Sequence, residues 1–464
     1  MNSFRLRSFK SENSILSTKE IKLVDNFNED WNYYTLIIWN NWTWKSRLLS
    51  SIVRYFNDNY KNKNFSRSLL FDFSWFPEKL IALTNSISDK FPIDYSFWNN
   101  KEILYNKKFY TYLWNRSRAN SFSTSSLINK ALDITFENYM EKDISKSYRH
   151  IFDYLGYEPV IKITYKFSLN KIKGIENSRI TINNLNNYLD KISYWSFWPP
   201  SRIKRILDKW NEELNKLVFF LNDLLHNEYN NNYNELLINF SESNINKLEH
   251  ENSIYIDNYE HYQNLKILKD LRIIRAYDTN VFKKNWWTFN FKEASSWEAN
   301  ILSSFLGLIP VLKNNSLIVI DEPEISLHPA WQSKYIDLLK NVFNDYTWCH
   351  IIIASHSPFL VSDLPIWSSS VISIKNNKGV ISSDIIEWST FWWSAEDILL
   401  NVFELASTRN YYLSQIISDW LELIASNRID SDIFKQIKFK LSKLYISMKD
   451  NDPLKKVVKI ILNK

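Results

Sequence analysis

The stretch that decides the fold is Ser316-Leu317-Ile318-Val319-Ile320-Asp321-Glu322-Pro323-Glu324-Ile325-Ser326-Leu327-His328-Pro329-Ala330-Trp331-Gln332. Leu317 to Ile320 form a continuous apolar run, the pattern of a strand buried on both faces of a parallel sheet. Pro323, with no N–H to give a ladder, stops it. Asp321 and Glu322 therefore fall at the C-terminal end of the strand, where open α/β sheets place their ligands. A carboxylate there can hold Mg²⁺ directly or through water, and a second beside it can polarise an attacking water.

Downstream, His350-Ile351-Ile352-Ile353-Ala354-Ser355-His356-Ser357-Pro358 is another buried-strand run that closes on a histidine turn. Tyr335 to Phe343 between them has helical length and periodicity. The unit is strand, helix, strand, with acids at one strand tip and His356 at the next. Upstream, Thr35-Leu36-Ile37-Ile38-Trp39-Asn40-Asn41-Trp42-Thr43-Trp44-Lys45-Ser46 puts Lys-Ser after a third apolar strand. With glycine at 39, 42 and 44 it reads G-N-N-G-T-G-K-S, a complete phosphate-binding loop. Such a loop aims successive N–H groups and a helix N-terminus at phosphate, in backbone conformations that glycine alone adopts freely.

Composition sharpens that point. The 464 residues include 20 Trp and only 4 Gly, where average usage of ~7% gives roughly 32 glycines. Asn-Trp-Trp-Thr at 285–288, Ser-Ser-Trp-Glu at 295–298 and Thr-Phe-Trp-Trp-Ser at 390–394 also become ordinary turns with glycine. Most of these tryptophans therefore read as glycines, as when a reassigned UGA codon is translated by the wrong table. Trp331 is excepted. If the indoles are real, they fill the phosphate cradle and the nucleotide site is dead.

The order of these motifs resembles the Walker A, signature, Walker B, D-loop and H-loop series of ABC-type ATPases, in the soluble branch related to SMC proteins. The resemblance implies an α/β fold: an ABC-type P-loop ATPase head, its mixed or parallel sheet joined by an antiparallel β lobe, with an inserted, mainly helical subdomain. It implies ATP and Mg²⁺. Lys45 reaches the β- and γ-phosphates, Ser46 and Asp321 serve the metal, Glu322 orients or deprotonates water, and His356 contacts the γ-phosphate. Trp39 to Ser46 form the cradle. Ala294-Ser295-Ser296-Trp297-Glu298 resembles the signature element, which serves the nucleotide of a second head. Ser295, Ser296, Trp297 and Glu298 are its site residues, and a head-to-tail pair or higher oligomer follows. Independently, Ser295 with Glu298 three residues on is a capping box that opens a helix.

The expected divisions are 1–119 (β lobe and phosphate loop), 120–282 (inserted subdomain), 283–405 (signature, Walker B and H-loop) and 406–464 (C-terminal helices). The inserted part carries helical spacing, with a β segment where Val160–Phe167 alternates; Asn230–Asn234 reads as a loop and Pro199-Pro200 as a break. No glutamine marks the Q-loop between 68 and 114. Arg116 and Arg118 form a basic turn there.

The segment 389–415 resembles the C-terminal part of defence-associated ATPases of the Septu and retron-linked kind. That implies an antiphage role in which the ATPase regulates a separate nuclease. Asp430-Ser431-Asp432 lies between helical stretches, not at a strand tip, so a nuclease within the chain is not expected. An ATPase subunit of a transporter is the competing reading, and a non-catalytic scaffold follows if the tryptophans are real. The net charge of +6 is compatible with nucleic acid without requiring it. A single cysteine, Cys349, no apolar leader and no ~20-residue apolar run predict a cytoplasmic protein without a membrane span.

Overall fold

The computed structural model describes residues 3–10, 12–13, 16–24, 31–39, 45–60, 70–86, 89–92, 109–114, 124–138, 145–168, 179–195, 211–226, 233–240, 253–255, 259–285, 287–377, 380–386, 393–403, 411–426, 432–447, 455, 458–459 and 462. Asn40–Trp44, Arg116, Arg118, Pro199, Pro200, Asn230–Asn232, Trp286, Thr390–Trp392, Asp430 and Ser431, all singled out in the sequence, lie outside the described residues. The chain forms two compact units, Met1–Trp392 and Trp393–Lys464.

The first unit is built on a nine-stranded mixed sheet. Its central strands run parallel in the order Ser369–Asn377, Tyr33–Trp39, His350–Ser355, Ser316–Asp321, Lys79–Thr84, Tyr110–Trp114. Val380–Ile385 returns antiparallel on Ser369–Asn377. Ser316–Asp321, His350–Ser355 and Lys79–Thr84 are buried at every position. This is why they read as unbroken apolar runs: both faces of a parallel sheet are covered.

Lys45–Asp58 is the helix that follows the first of these strands. It buries Leu48, Leu49, Ile52, Val53 and Phe56, a spacing that keeps one helical face turned to the core. A three-stranded antiparallel sheet, Ile21–Lys22, Leu6–Phe9 and Phe71–Phe73, belongs to the same core, and Phe56 meets Phe4 and Phe73 edge-on at 5.8 and 5.3 Å. Each such buried side chain stabilises by roughly 1.5–3 kcal/mol. Two strands of this small sheet come from the N-terminal stretch, the third from Phe71–Phe73, while Glu12–Asn13 and Leu16–Thr18 join the large sheet.

Between the two halves of the large sheet come the helices Thr124–Asn138, Ser145–Leu155, Ile182–Trp195, Asn211–His226 and Tyr259–Asp270. They accompany a five-stranded sheet in the order Ser253–Tyr255, Tyr233–Asn239, Tyr157–Phe167, Ile274–Lys283, Thr288–Asn290. Helix dominates, but the sheet is larger than the alternation at 160–167 indicates. Tyr233 and Asn234, read as loop in an Asn-rich run, pair with Lys166 and Tyr165. Cross-strand pairing overrides the poor β-propensity of Asn234. The second unit contains Ala395–Asn401, Tyr411–Ala425 and Asp432–Ser447; Trp420, Phe434, Ile437 and Leu441 share its small core.

Candidate functional site

The parallel strands end level. Asp321 pairs in register with Ala354 on one side and Thr84 on the other, and Ser355 with Ile38. The residues that follow, Glu322, His356 and Asn85, therefore emerge at one sheet edge, and Lys45 and Ser46 open the helix that returns from it. This is the carboxyl-end crevice that the sequence predicts.

There Ser46 Oγ donates to Asp321 Oδ2 at 2.6 Å. Lys45 Nζ lies 3.7 Å from Glu322 Oε1, and His356 Nε2 lies 3.8 Å from the same oxygen. The Glu322 carboxylate thus sits between the ammonium and the imidazole. Its backbone takes φ 50°, the left-handed region that costs a non-glycine residue about 1–3 kcal/mol. The turn is over-determined: Glu322 N–H donates to Ala354 O at 2.9 Å and Ile325 N–H to Glu322 O at 3.2 Å.

The electrostatics are those of a site built for something not supplied by its own side chains. Lys45 and Asp321 are almost wholly buried, and Lys45 Nζ and Asp321 Oδ1 have no hydrogen-bond partner among the described residues. Burial holds the Lys45 ammonium below its usual range against the upward pull of Glu324, Glu322 and Asp321. Burial pushes the Asp321 carboxyl up to about 7, with Ser46 and Lys45 opposing and Glu322 and Asp89 assisting. Burial, then the Lys45 charge, lowers His356 to about 4, so it presents a neutral imidazole at pH 7. An unsatisfied buried ammonium beside an unsatisfied buried carboxylate oxygen fits an anionic phosphate held with a cation.

Two contributors escaped the sequence reading. Glu324 accepts from His356 N–H at 2.5 Å, fixing the histidine turn to the acidic turn, and burial raises its carboxyl. Asn85 follows the strand Lys79–Thr84; its Nδ2 donates to Pro323 O at 3.1 Å, while its buried Oδ1 has no partner among the described residues. It stands where a Q-loop glutamine was sought, and only its place directly after a buried strand signals it. Beyond it, Asp89 is buried and accepts from Tyr112 Oη at 2.6 Å.

The structure brings Lys45, Ser46, Asp321, Glu322 and His356 together. The side chain of Trp39 lies outside the described set, although its strand is placed. Ser295, Ser296, Trp297 and Glu298 stand apart, on the first turn of the helix Ser296–Leu308. Glu298 accepts from Ser295 N–H at 3.0 Å and from the Ser295 hydroxyl, and Ser295 and Ser296 are exposed. Trp297 stacks on Trp331 with centroids 4.7 Å apart. No helix among the described residues is long and apolar enough to cross a membrane.

Comparison with known proteins adds the family. The family described as "AAA domain, putative AbiEii toxin, Type IV TA system" matches residues 32–362. The Septu protein PtuA of Bacillus thuringiensis is 28% identical over 156 residues, 33% of this chain and 37% of that protein. Protein ea59 of Escherichia phage lambda is 30% identical over 133 residues, 27% of this chain and 24% of that protein. The chain thus spans well under half the length of either relative. An SMC head domain from Pyrococcus furiosus with an extended coiled coil covers 83% of this chain and 96% of its own, at 11% identity and TM-score 0.30. That likeness bears no weight beside the strand order and the family match. With its motifs level at one edge of a mixed α/β sheet, the chain belongs to this AAA-domain family.

Proposed function

We propose that the chain binds Mg²⁺·ATP and hydrolyses it slowly, coupling the engagement of two heads to a partner. The observation that carries this is the meeting of Lys45, Ser46, Asp321, Glu322 and His356 at the ends of adjacent parallel strands. Lys45 and the loop amides before it hold the phosphate charge that develops in transfer. Ser46 and Asp321 are the residues to hold Mg²⁺, which when bound supplies positive charge against the phosphate oxygens. Glu322 orients or deprotonates the attacking water, and His356 offers a neutral imidazole N–H to the γ-phosphate. The exposed Ser295 and Ser296 at the start of the helix Ser296–Leu308 serve the nucleotide of a second copy, so each site is completed head-to-tail.

The role proposed for this ATPase is regulation of a separate nuclease in antiphage defence. It is supported by the partial similarity to Septu protein PtuA and by the resemblance of segment 389–415.

Competence depends on residues 39, 42 and 44, which we read as glycine in the native protein. Backbone geometry supports that reading elsewhere: Trp348 takes φ 59°, a conformation that favours glycine. Trp287 and Trp367 are 74% and 81% exposed, a poor use of the largest side chain. Trp420 differs, being 6% exposed and stacked on Phe434. The test begins with protein from its native source, mass-mapping the tryptic peptide Leu23–Lys45. Glycine masses at 39, 42 and 44, followed by ATP turnover in a glycine-bearing chain that Glu322→Gln abolishes, support the proposal. Tryptophan masses overturn it and leave an ATPase-derived binding scaffold.

A further inference from the structure

Beyond the nucleotide-facing side chains, one amide ties the histidine turn to the segment that follows the acidic turn. Gln332 Nε2 donates to Leu327 O at 2.8 Å, and Gln332 Oε1 accepts from Ser357 Oγ at 2.6 Å. Both ends are used in the sense that each can fill, so the amide orientation is fixed by its partners. Ser357 is buried, and its Oγ also accepts from Phe359 N–H at 3.2 Å as the cap of the short helix Pro358–Ser362. Its N–H donates to Ser355 Oγ at 2.9 Å. His356, between these serines, is held from the other side by Glu324. The histidine turn is therefore held by three side chains: Glu324 on the His356 N–H, and Ser355 and Gln332 on the adjoining Ser357, with Gln332 coming from outside the acidic and histidine turns.

The same short segment is gripped from the lobe inserted in the sheet. Tyr154 Oη donates to Trp331 O at 2.9 Å, and its ring lies 4.9 Å from the indole. Tyr154 closes the helix Ser145–Leu155, which passes through Gly156 at φ 71° into Tyr157–Phe167, the middle strand of the five-stranded sheet. A displacement of that sheet relative to the large one thus pulls on the residue adjoining Gln332. Coupling travels through contiguous packed and hydrogen-bonded elements of this kind.

We propose that Gln332 is a positioning residue that sets the histidine turn against Glu322, and that Tyr154 ties this clamp to the inserted lobe. Partner or lobe movement is then felt at His356 without contact to the nucleotide. The kinetic consequence rests on the ATPase reading above; the structural consequence does not.

The test uses the full chain with Gln332→Met, which keeps length and removes both polar ends, Gln332→Glu, which keeps only the acceptor, and Tyr154→Phe. Amide hydrogen exchange without nucleotide is the first readout. Losing one buried hydrogen bond raises exchange at residues 356–359 roughly tenfold, in Gln332→Met and less in Gln332→Glu. Tyr154→Phe raises exchange at 331–334 and, more weakly, at 356–359. ATP turnover is the second readout: Gln332→Met lowers kcat about tenfold with KM little changed, and adds nothing to His356→Ala. Unchanged exchange at 356–359, or an effect that adds fully to His356→Ala, overturns the proposal. Turnover is read in the chain bearing glycine at 39, 42 and 44; if that parent shows none, the ATPase reading fails and the exchange data alone decide the clamp. If Gln332→Met does not fold, Gln332→Glu decides both readouts.

Discussion

Asp321→Asn isolates the tension between stability and binding at this site. The carboxyl is fully buried and its pKa is raised by burial from 3.8 to about 7. Below pH 3.8 it is protonated folded or unfolded and makes no difference. Between 3.8 and about 7 the unfolded chain releases the proton while the folded chain keeps it, so stability falls as pH rises. Above about 7 the whole cost is present: the difference between those pKa values, at about 1.36 kcal/mol per unit, comes to about 4 kcal/mol. Asparagine is nearly isosteric, still accepts from Ser46, and carries no charge. The variant without nucleotide is therefore expected to be more stable than the parent by about 1–2 kcal/mol at pH 5 and about 4 kcal/mol at pH 8. Urea titrations of the full chain at the two pH values, followed by tyrosine and tryptophan fluorescence, measure this. Magnesium-dependent nucleotide binding should be lost in the same variant. An Asn variant less stable than the parent at pH 8, or a gain independent of pH, refutes the assignment of Asp321 as a charge waiting for a cation.

Three further outcomes follow. Glu322→Gln should retain nucleotide binding and lose at least about a hundredfold in turnover, since proton transfer typically contributes 10²–10⁴; equilibrium binding beside steady-state kinetics separates the two. Trp348→Gly should stabilise by about 1–2 kcal/mol by relieving the left-handed backbone, whereas Trp420→Gly should cost about 3–5 kcal/mol from the core of the second unit; thermal unfolding reads both. His350 is buried, with Nδ1 accepting from Leu6 N–H and Nε2 facing Thr35 Oγ1 at 2.9 Å. Burial, aided by Arg5, holds it well below 6.5. The unfolded chain takes up that proton first as pH falls, so stability present above about 6.5 is lost progressively below it; a His350→Asn variant should lose less between about pH 6.5 and 5.

The sequence by itself determined whatever depends on neighbours along the chain. Leu317–Ile320 and Ile351–Ala354 read as buried strands because a parallel sheet covers both faces, leaving no polar alternation to obscure the pattern. Asp321, Glu322 and His356 fall at strand tips because their runs end there, and Ser295 opens a helix because Glu298 lies one turn away. The tertiary structure decided the rest. That Asp321 lies level with Ala354 and Thr84 is a matter of register, and an apolar run of uniform residues does not encode which neighbour it meets. Asn85 gains its place from the strand beside Asp321, Glu324 from a hydrogen bond spanning 32 residues, and Tyr233–Asn239 its strand from pairing with residues 160–166. The charges follow the same division. Lys45 and Asp321 are recognisable as ionisable in any sequence, but their lost solvation, and hence their call for phosphate and cation, exists only once the sheet and its helix close around them.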